Sequence, residues 1–246
     1  MSGAHISTSK VRSNGFQSEA NCKAACVLET RELNILSLNV CGLKSKLSTP
    51  EFLDLCRKND VLCFSETHCD EVDMEFVKKS FNKIGFSVVY RTRSVLCNYK
   101  SGGIILAAKK ELKPLWKTVP VKSEAFVSII IDKSYLGLQK HVVISSVCVP
   151  PSSSRYSSVE LFDDLDKFLL DYSDGDYYKV LTGDFNACTG IHADIIDVSG
   201  IDGEDNTLRE VIDVTESMQW LGIPVDRYSK DTSAANSYGT NFITVM

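Results

Sequence analysis

The sequence predicts an α/β layered sandwich in one domain, and three observations point there. Short runs of apolar residues recur without alternation, as in strands buried on both faces. Between them lie stretches with apolar residues at helical spacing. The order of the two (strand, helix, strand, two strand pairs, helix, strand) is that of a layered α/β domain. At 246 residues, 43% hydrophobic and 24% charged, the chain has the length and composition of a globular domain.

Residues 1–30 are rich in Ser, Ala, Asn and Lys without steady periodicity; they read as a mobile leader ahead of a domain over 31–246. Residues 33–40 (LNILSLNV) form a nearly continuous apolar run with Asn39 near its end, a buried strand. Residues 50–58 carry apolar side chains at 52, 53, 55 and 56, a short amphipathic helix. Val61–Ser65 (VLCFS) is a second buried strand that ends directly at Glu66. Residues 86–91 and 103–108 read as one strand pair, and 125–131 with 141–149 as another across a turn at 132–140. Residues 157–172 predict a helix: Ser157 and Glu160 have capping-box spacing, and positions 161, 162, 165, 168 and 169 share a face. Residues 179–181 return to strand and run into Thr-Gly-Asp-Phe-Asn at 182–186. Further helices are expected near 207–221 and from 236 onward.

Composition excludes some classes. No apolar stretch approaches the roughly 20 residues of a membrane span, and the N-terminus lacks the basic-then-apolar pattern of a secretory signal. Nine cysteines, an odd number in a chain of this length, suit a reducing compartment. Cys22 with Cys26, or Cys63 and Cys69 with His68, have the residue types of a zinc site, but no second pair stands at finger spacing. The net charge of −5 conceals an asymmetry. Residues 78–123 hold eleven lysines or arginines against one acid, Glu111, so that segment carries +10 and the remainder −15. Such a segment either presents a face that attracts phosphate or consists of solvated lysines flanking buried strands.

Polar residues gather where strands end: Asn39 after ILSL, Glu66 after VLCFS, and Asp184 with Asn186 after VLTG. Strand ends of α/β sheets hold groups rigidly while leaving them open to solvent. A carboxylate there is costly unless paired, hydrogen-bonded or bound to a metal. Glu66 and Asp184 together have the chemistry to hold Mg²⁺, which takes one or two carboxylates plus water and substrate phosphate. Asn39 and Asn186 offer neutral hydrogen bonds to a phosphate. Each also has a plainer reading: Asn39 as a strand terminator, Asp184 in an Asx-turn and Glu66 as a turn cap.

Taken together, LSLNVCGL (36–43), VLCFSETH (61–68), SGGIILAAKK (101–110), VCVPPSSSRY (147–156) and LTGDFNA (181–187) resemble the endonuclease/exonuclease/phosphatase superfamily, which includes deoxyribonuclease I and the apurinic-site repair endonucleases. More narrowly, with SKDTSAANSYG at 229–239, the chain resembles the endonuclease domain of a non-LTR (LINE-type) retrotransposon. The resemblance implies a four-layer αββα sandwich of the deoxyribonuclease I-like type and Mg²⁺-dependent (or Mn²⁺-dependent) cleavage of phosphodiester bonds in DNA. By that likeness Asn39 contacts the phosphate, Glu66 is the metal ligand, Asp184 orients or deprotonates the attacking water, and Asn186 hydrogen-bonds the phosphate. Arg155 and the basic segment then become candidates for contacts to the DNA backbone, and DNA as substrate implies a nucleus-accessible protein.

The chain departs from the family pattern at three points. Cys41 stands where the repair enzymes carry an acid, and Cys148 where a Tyr is common. The family also ends on an Asp-bearing strand and a Ser-Asp-His motif that do not precede Met246, and none of His5, His68, His141 or His192 lies in such a motif. By the resemblance, the last strands are then missing and activity is impaired. Two other readings stand beside the nuclease: a non-catalytic retrotransposon relic that at most binds nucleic acid, and a phosphatase acting on a small phosphate ester.

Overall fold

The computed structural model describes residues 6–11, 31–92, 101–152, 154, 160–173, 175–187, 236 and 238. The chain divides into two compact units, Met1–Phe185 and Asn186–Met246. The first unit contains two sheets. One has strand order β1-β2-β3-β5-β4, built from β1 (Ile6–Val11), β2 (Leu33–Asn39), β3 (Val61–Ser65), β4 (Phe86–Arg91) and β5 (Ile104–Lys109). The other runs β6-β7-β8-β9, from β6 (Trp116–Val119), β7 (Phe126–Ile131), β8 (His141–Cys148) and β9 (Tyr177–Asp184). The helices of this unit are α1 (Pro50–Arg57), α2 (Glu71–Lys83), the one-turn α3 (Lys133–Leu136) and α4 (Glu160–Asp171).

The period-2 alternation of strands sorts side chains between two cores. Leu36, Leu38, Leu62, Phe64, Ile105 and Ala107 face outward from the first sheet and pack against Phe52 and Cys56 of α1 and Met74, Val77 and Phe81 of α2. Their alternates Leu33, Ile35, Val61, Cys63, Ile104 and Leu106 face inward, against Val127, Ile129, Ile131, Val142 and Ile144 of the second sheet. On the far side of that sheet Phe168 of α4 meets Phe126, ring centroids 5.1 Å apart. The layers of this unit are therefore helix, sheet, sheet, helix, the expected αββα sandwich. Phe64, Phe81 and Phe86 are fully buried, each contributing about 1.5–3 kcal/mol of transfer free energy.

Two connections matter for function. β2-α1-β3 and β8-α4-β9 are parallel pairs joined through helices. Each therefore brings two C-terminal strand ends to the same end of the sandwich. β5 runs antiparallel to β3, which places its N-terminus at that end and Lys109 at the other.

Besides β6 and the one-turn α3, which had no counterpart in the sequence reading, three elements differ from the sequence expectation. β1 pairs antiparallel with β2 inside the 1–30 segment read as a leader; its β-branched Ile6, Thr8 and Val11 suit a strand, and β1 covers an otherwise open edge. α2 was not anticipated. Its stripe of Met74, Val77 and Phe81 is interleaved with charge, but Asp70 and Asp73 form a capping box at its start (Asp73 N–H to Asp70 3.1 Å; Asp70 N–H to Asp73 3.4 Å). β9 is longer than the expected 179–181 and reaches Asp184 itself. Ser157 and most of the two distal helices lie outside the described residues. No helix among those described is long and apolar enough to cross a membrane.

Candidate active site

Asn39 is the last residue of β2, Asp184 the last of β9, and Glu66 directly follows β3. These strands belong to different sheets, yet Asn39 Nδ2 donates to Asp184 Oδ2 at 3.0 Å. The other end of the Asn39 amide is fixed as well, because its Oδ1 accepts the Cys41 N–H at 3.1 Å. An amide with its oxygen on a backbone donor and its nitrogen on a carboxylate has one allowed orientation.

Glu66 is held by three groups. Its Oε2 accepts the Gly102 N–H at 2.8 Å and lies 3.1 Å from His68 Nε2. Its Oε1 accepts the Cys148 thiol at 3.6 Å. Burial pushes the Cys148 thiol up to about 12, and the neighbouring Glu66 and Asp184 carboxylates also raise it. Cys148 is thus a protonated donor between the two acids at neutral pH.

The backbone here is strained. Cys41, Glu66 and His68 have φ of +42°, +52° and +56°, left-handed conformations that cost on the order of 1–3 kcal/mol each for such residues. Flanking hydrogen bonds impose them. Gly42 and Leu43 N–H donate to the Glu66 and Thr67 carbonyls (2.8 and 2.9 Å), while Thr67 and His68 N–H donate to Gly103 and Gly102 (3.1 and 2.9 Å). The segment after β3 is clamped on both sides.

Gly183 has a structural reason to be glycine. Its φ is +139°, and a Cβ there would collide with the Val147 carbonyl of β8. This close approach puts Asp184 in register with Cys148.

Of the residues predicted from sequence, Asn39 and Asp184 are joined by a hydrogen bond, and Cys148, the neighbour in register with Asp184, bonds Glu66. Asn186 belongs to the second unit, where its carbonyl accepts Asn236 Nδ2 at 3.0 Å. Arg155 lies outside the described residues. His68, Gly102, Cys148 and Gly183 were not singled out as site residues. The signal available for two of them was the unusual Ser-Gly-Gly before β5 and the glycine of Thr-Gly-Asp, since glycine ahead of a strand-end acid marks a close backbone approach.

The described basic residues of this segment are spread over both ends of the first sheet. β5 is antiparallel to β3, so Lys109 and Lys110 sit about 17–20 Å along the strand from Glu66. There Lys109 pairs with Asp60 at 2.8 Å, and Lys110 Nζ donates to the Asn82 carbonyl at 3.1 Å. Arg91, in register with Ile104, is at the Glu66 end, with its guanidinium donating to the Val121 carbonyl. Lys78 lies over the Tyr90 ring, 4.4 Å from its centroid. Arg93 and Lys100 lie outside the described residues.

Among the described residues no group of three or more His, Cys, Asp or Glu side chains is arranged as a ready-made metal cage, and the zinc reading of Cys63, Cys69 and His68 has no support there. A hard cation of the Mg²⁺ type needs less: one or two carboxylates, with water and substrate phosphate completing the shell. Glu66, with 22% of its side chain exposed and a lone pair left on Oε1, fits that requirement.

The sequence model for the Endonuclease/Exonuclease/phosphatase family matches residues 36–224. No curated protein matches the chain. Among solved structures it is similar to an AP endonuclease of Leishmania major (15% identity, 75% of this chain and 65% of that one, TM-score 0.47). It is similar also to an AP endonuclease of Archaeoglobus fulgidus (18%, 74% and 68%, 0.46). A third is the endonuclease domain of TRAS1, a telomere-specific non-LTR retrotransposon (11%, 75% and 71%, 0.41). The chain thus spans just under two thirds of the Leishmania enzyme.

Proposed function

Because the chain belongs to the Endonuclease/Exonuclease/phosphatase family, we propose that it hydrolyses phosphodiester bonds in DNA with the help of Mg²⁺ or Mn²⁺, as the endonuclease domain of a retrotransposon-like protein acting where nuclear DNA is accessible. The observation that carries the reading is the Asn39–Asp184 hydrogen bond between the two sheets. It brings a neutral donor and a carboxylate together at the strand ends where Glu66 also lies.

In this reading Glu66 holds the cation, which when bound supplies charge stabilisation to the phosphate. Asp184 orients the attacking water and accepts its proton. Asn39, with its amide orientation fixed by the Cys41 N–H, keeps the Asp184 carboxylate pointed and offers its edge to a phosphate oxygen. Preorganised groups of this kind are effective because they need not reorient as charge develops. Asn186 and Arg155 are proposed contacts to phosphate.

The test is nicking of supercoiled plasmid by the full chain with Mg²⁺ or Mn²⁺ and with EDTA, alongside release of phosphate from small phosphate esters. Metal-dependent nicking that falls about 10²–10⁴-fold in Asp184→Ala is the expected result. Hydrolysis of the esters without nicking moves the substrate to the phosphatase branch. Inactivity on both, with DNA binding retained, leaves the non-catalytic reading.

A further inference from the structure

A carboxylate offers about four lone-pair positions, two on each oxygen. On Glu66 three are occupied. Oε2 takes the Gly102 N–H at 2.8 Å and His68 Nε2 at 3.1 Å; Oε1 takes the Cys148 S–H at 3.6 Å. An ionised carboxylate has no proton to give, so at 3.1 Å the hydrogen must lie on His68 Nε2. The clamped backbone makes this contact specific. Glu66 and His68 are two residues apart, both left-handed, and their peptide groups are bonded on each side to Gly42, Leu43, Gly102 and Gly103. The imidazole is 18% exposed, so water competes weakly for the bond.

We propose that His68 is a positioning residue for Glu66. With the Gly102 amide it fills Oε2, and so leaves Oε1 as the one oxygen able to face a divalent cation, which Glu66 then binds through a single atom. This inference rests on the proposed metal role of Glu66. His68 touches neither substrate nor cation; it acts through the carboxylate. Hydrogen-bond partners of a ligating group set its orientation, and losing one typically lowers metal affinity about 10–100-fold.

The experiment is Mn²⁺ binding to the full chain, followed by electron paramagnetic resonance, for the parent, H68F, H68Q and E66Q, with thermal melts of each. H68F should bind about 10–100-fold more weakly while melting as a folded protein, and H68Q, whose amide replaces the Nε2 donor, should recover most of that loss. Equal weakening in H68F and H68Q would mean that His68 only fills space, and would overturn the proposal. So would parent-like binding in H68F when E66Q binds poorly, since Glu66 then needs no such partner. Parent-like binding in E66Q would instead remove the metal role of Glu66, and with it both readings. A further measurement needs no substitution: ¹⁵N–¹H correlation of the parent should find the His68 proton on Nε2. A proton on Nδ1 alone would overturn the assignment even if H68F fails to fold.

Discussion

Strand β3 (Val61–Ser65) is bracketed by two acids with opposite fates. Asp60, just before it, is almost fully covered and saturated by charge and backbone. Its Oδ1 binds Lys109 Nζ at 2.8 Å, its Oδ2 accepts the Asn34 backbone and side-chain N–H groups at 2.9 and 3.3 Å, and its own peptide is bonded to Asn34 and Lys109. Glu66, just after the strand, is held only by an amide, an imidazole and a thiol, and among the described residues no lysine or arginine pairs with it. A half-buried carboxylate without a fixed cation is costly, and a backbone forced into left-handed conformations adds to that. Asp60 closes the sheet; in the proposed function Glu66 is the place for a positive charge that arrives from outside.

The largest effect that separates the two ends is on activity. Glu66→Gln should lower metal-dependent nicking about 10²–10³-fold, while Asp60→Asn should leave it within a few-fold, and both should remain folded by circular dichroism. Equal losses would mean that the acids differ only in position.

Next comes a steric test of the Glu66 end. Gly183→Ala adds one methyl group against the Val147 carbonyl at a left-handed φ, and should cost about 3 kcal/mol or more in urea unfolding. Gly85 is also left-handed (φ +89°) but has open space around the position of a Cβ, so Gly85→Ala should cost only the conformational part, about 1–2 kcal/mol. A Gly183→Ala protein as stable as Gly85→Ala would mean that β9 can move away from β8 without penalty.

Stability itself should show the reverse order for the acids. Asp60→Ala strands Lys109 and the Asn34 donors, and should destabilise by about 2–3 kcal/mol, less than for a fully buried pair because Lys109 is 27% exposed. Glu66→Gln should change stability by less than about 1 kcal/mol. If Glu66→Gln were the more destabilising, the carboxylate would be a structural element and the comparison would collapse.

The same contrast explains what could be read from the amino acids alone. β2, β3, β5 and the β7–β8 pair follow from runs of apolar residues, because burial on both faces leaves an unambiguous signal, and α1 follows from apolar residues at helical spacing. α2 was hidden because its three buried residues are spread among ten others, many of them charged, and the capping box uses Asp where Ser and Glu are the usual marks. Asn39, Glu66 and Asp184 stand out by falling at the ends of apolar runs. What surrounds Glu66 does not, because Gly102 and Cys148 reach it from distant segments through pairing register, and His68 through an unusual backbone that residue types do not announce. The summed charge of 78–123 left two readings open for a related reason: an antiparallel hairpin sends neighbours in sequence to opposite ends of a sheet, which a sum over sequence does not register.

The smallest effect concerns the two cysteines at the Glu66 end. Cys41 is exposed, whereas Cys148 is buried against both acids. Burial raises Cys148, Cys56 and Cys63 to about 12 and Cys69 to about 11, so at pH 8 only about 10⁻³–10⁻⁴ of each is thiolate, the reactive form. Brief treatment of the native chain with iodoacetamide should therefore label Cys41 and leave these four unmodified, as read by peptide mass mapping. Because a thiol raised in the folded state favours folding only while it stays protonated, that stabilisation is complete below about pH 9 and fades as pH rises toward 12. Protection of the four should weaken in the same interval. If Cys148 reacted as fast as Cys41 at pH 8, its proton would not be held between Glu66 and Asp184, and Oε1 of Glu66 would lose the one donor that the β8 strand contributes.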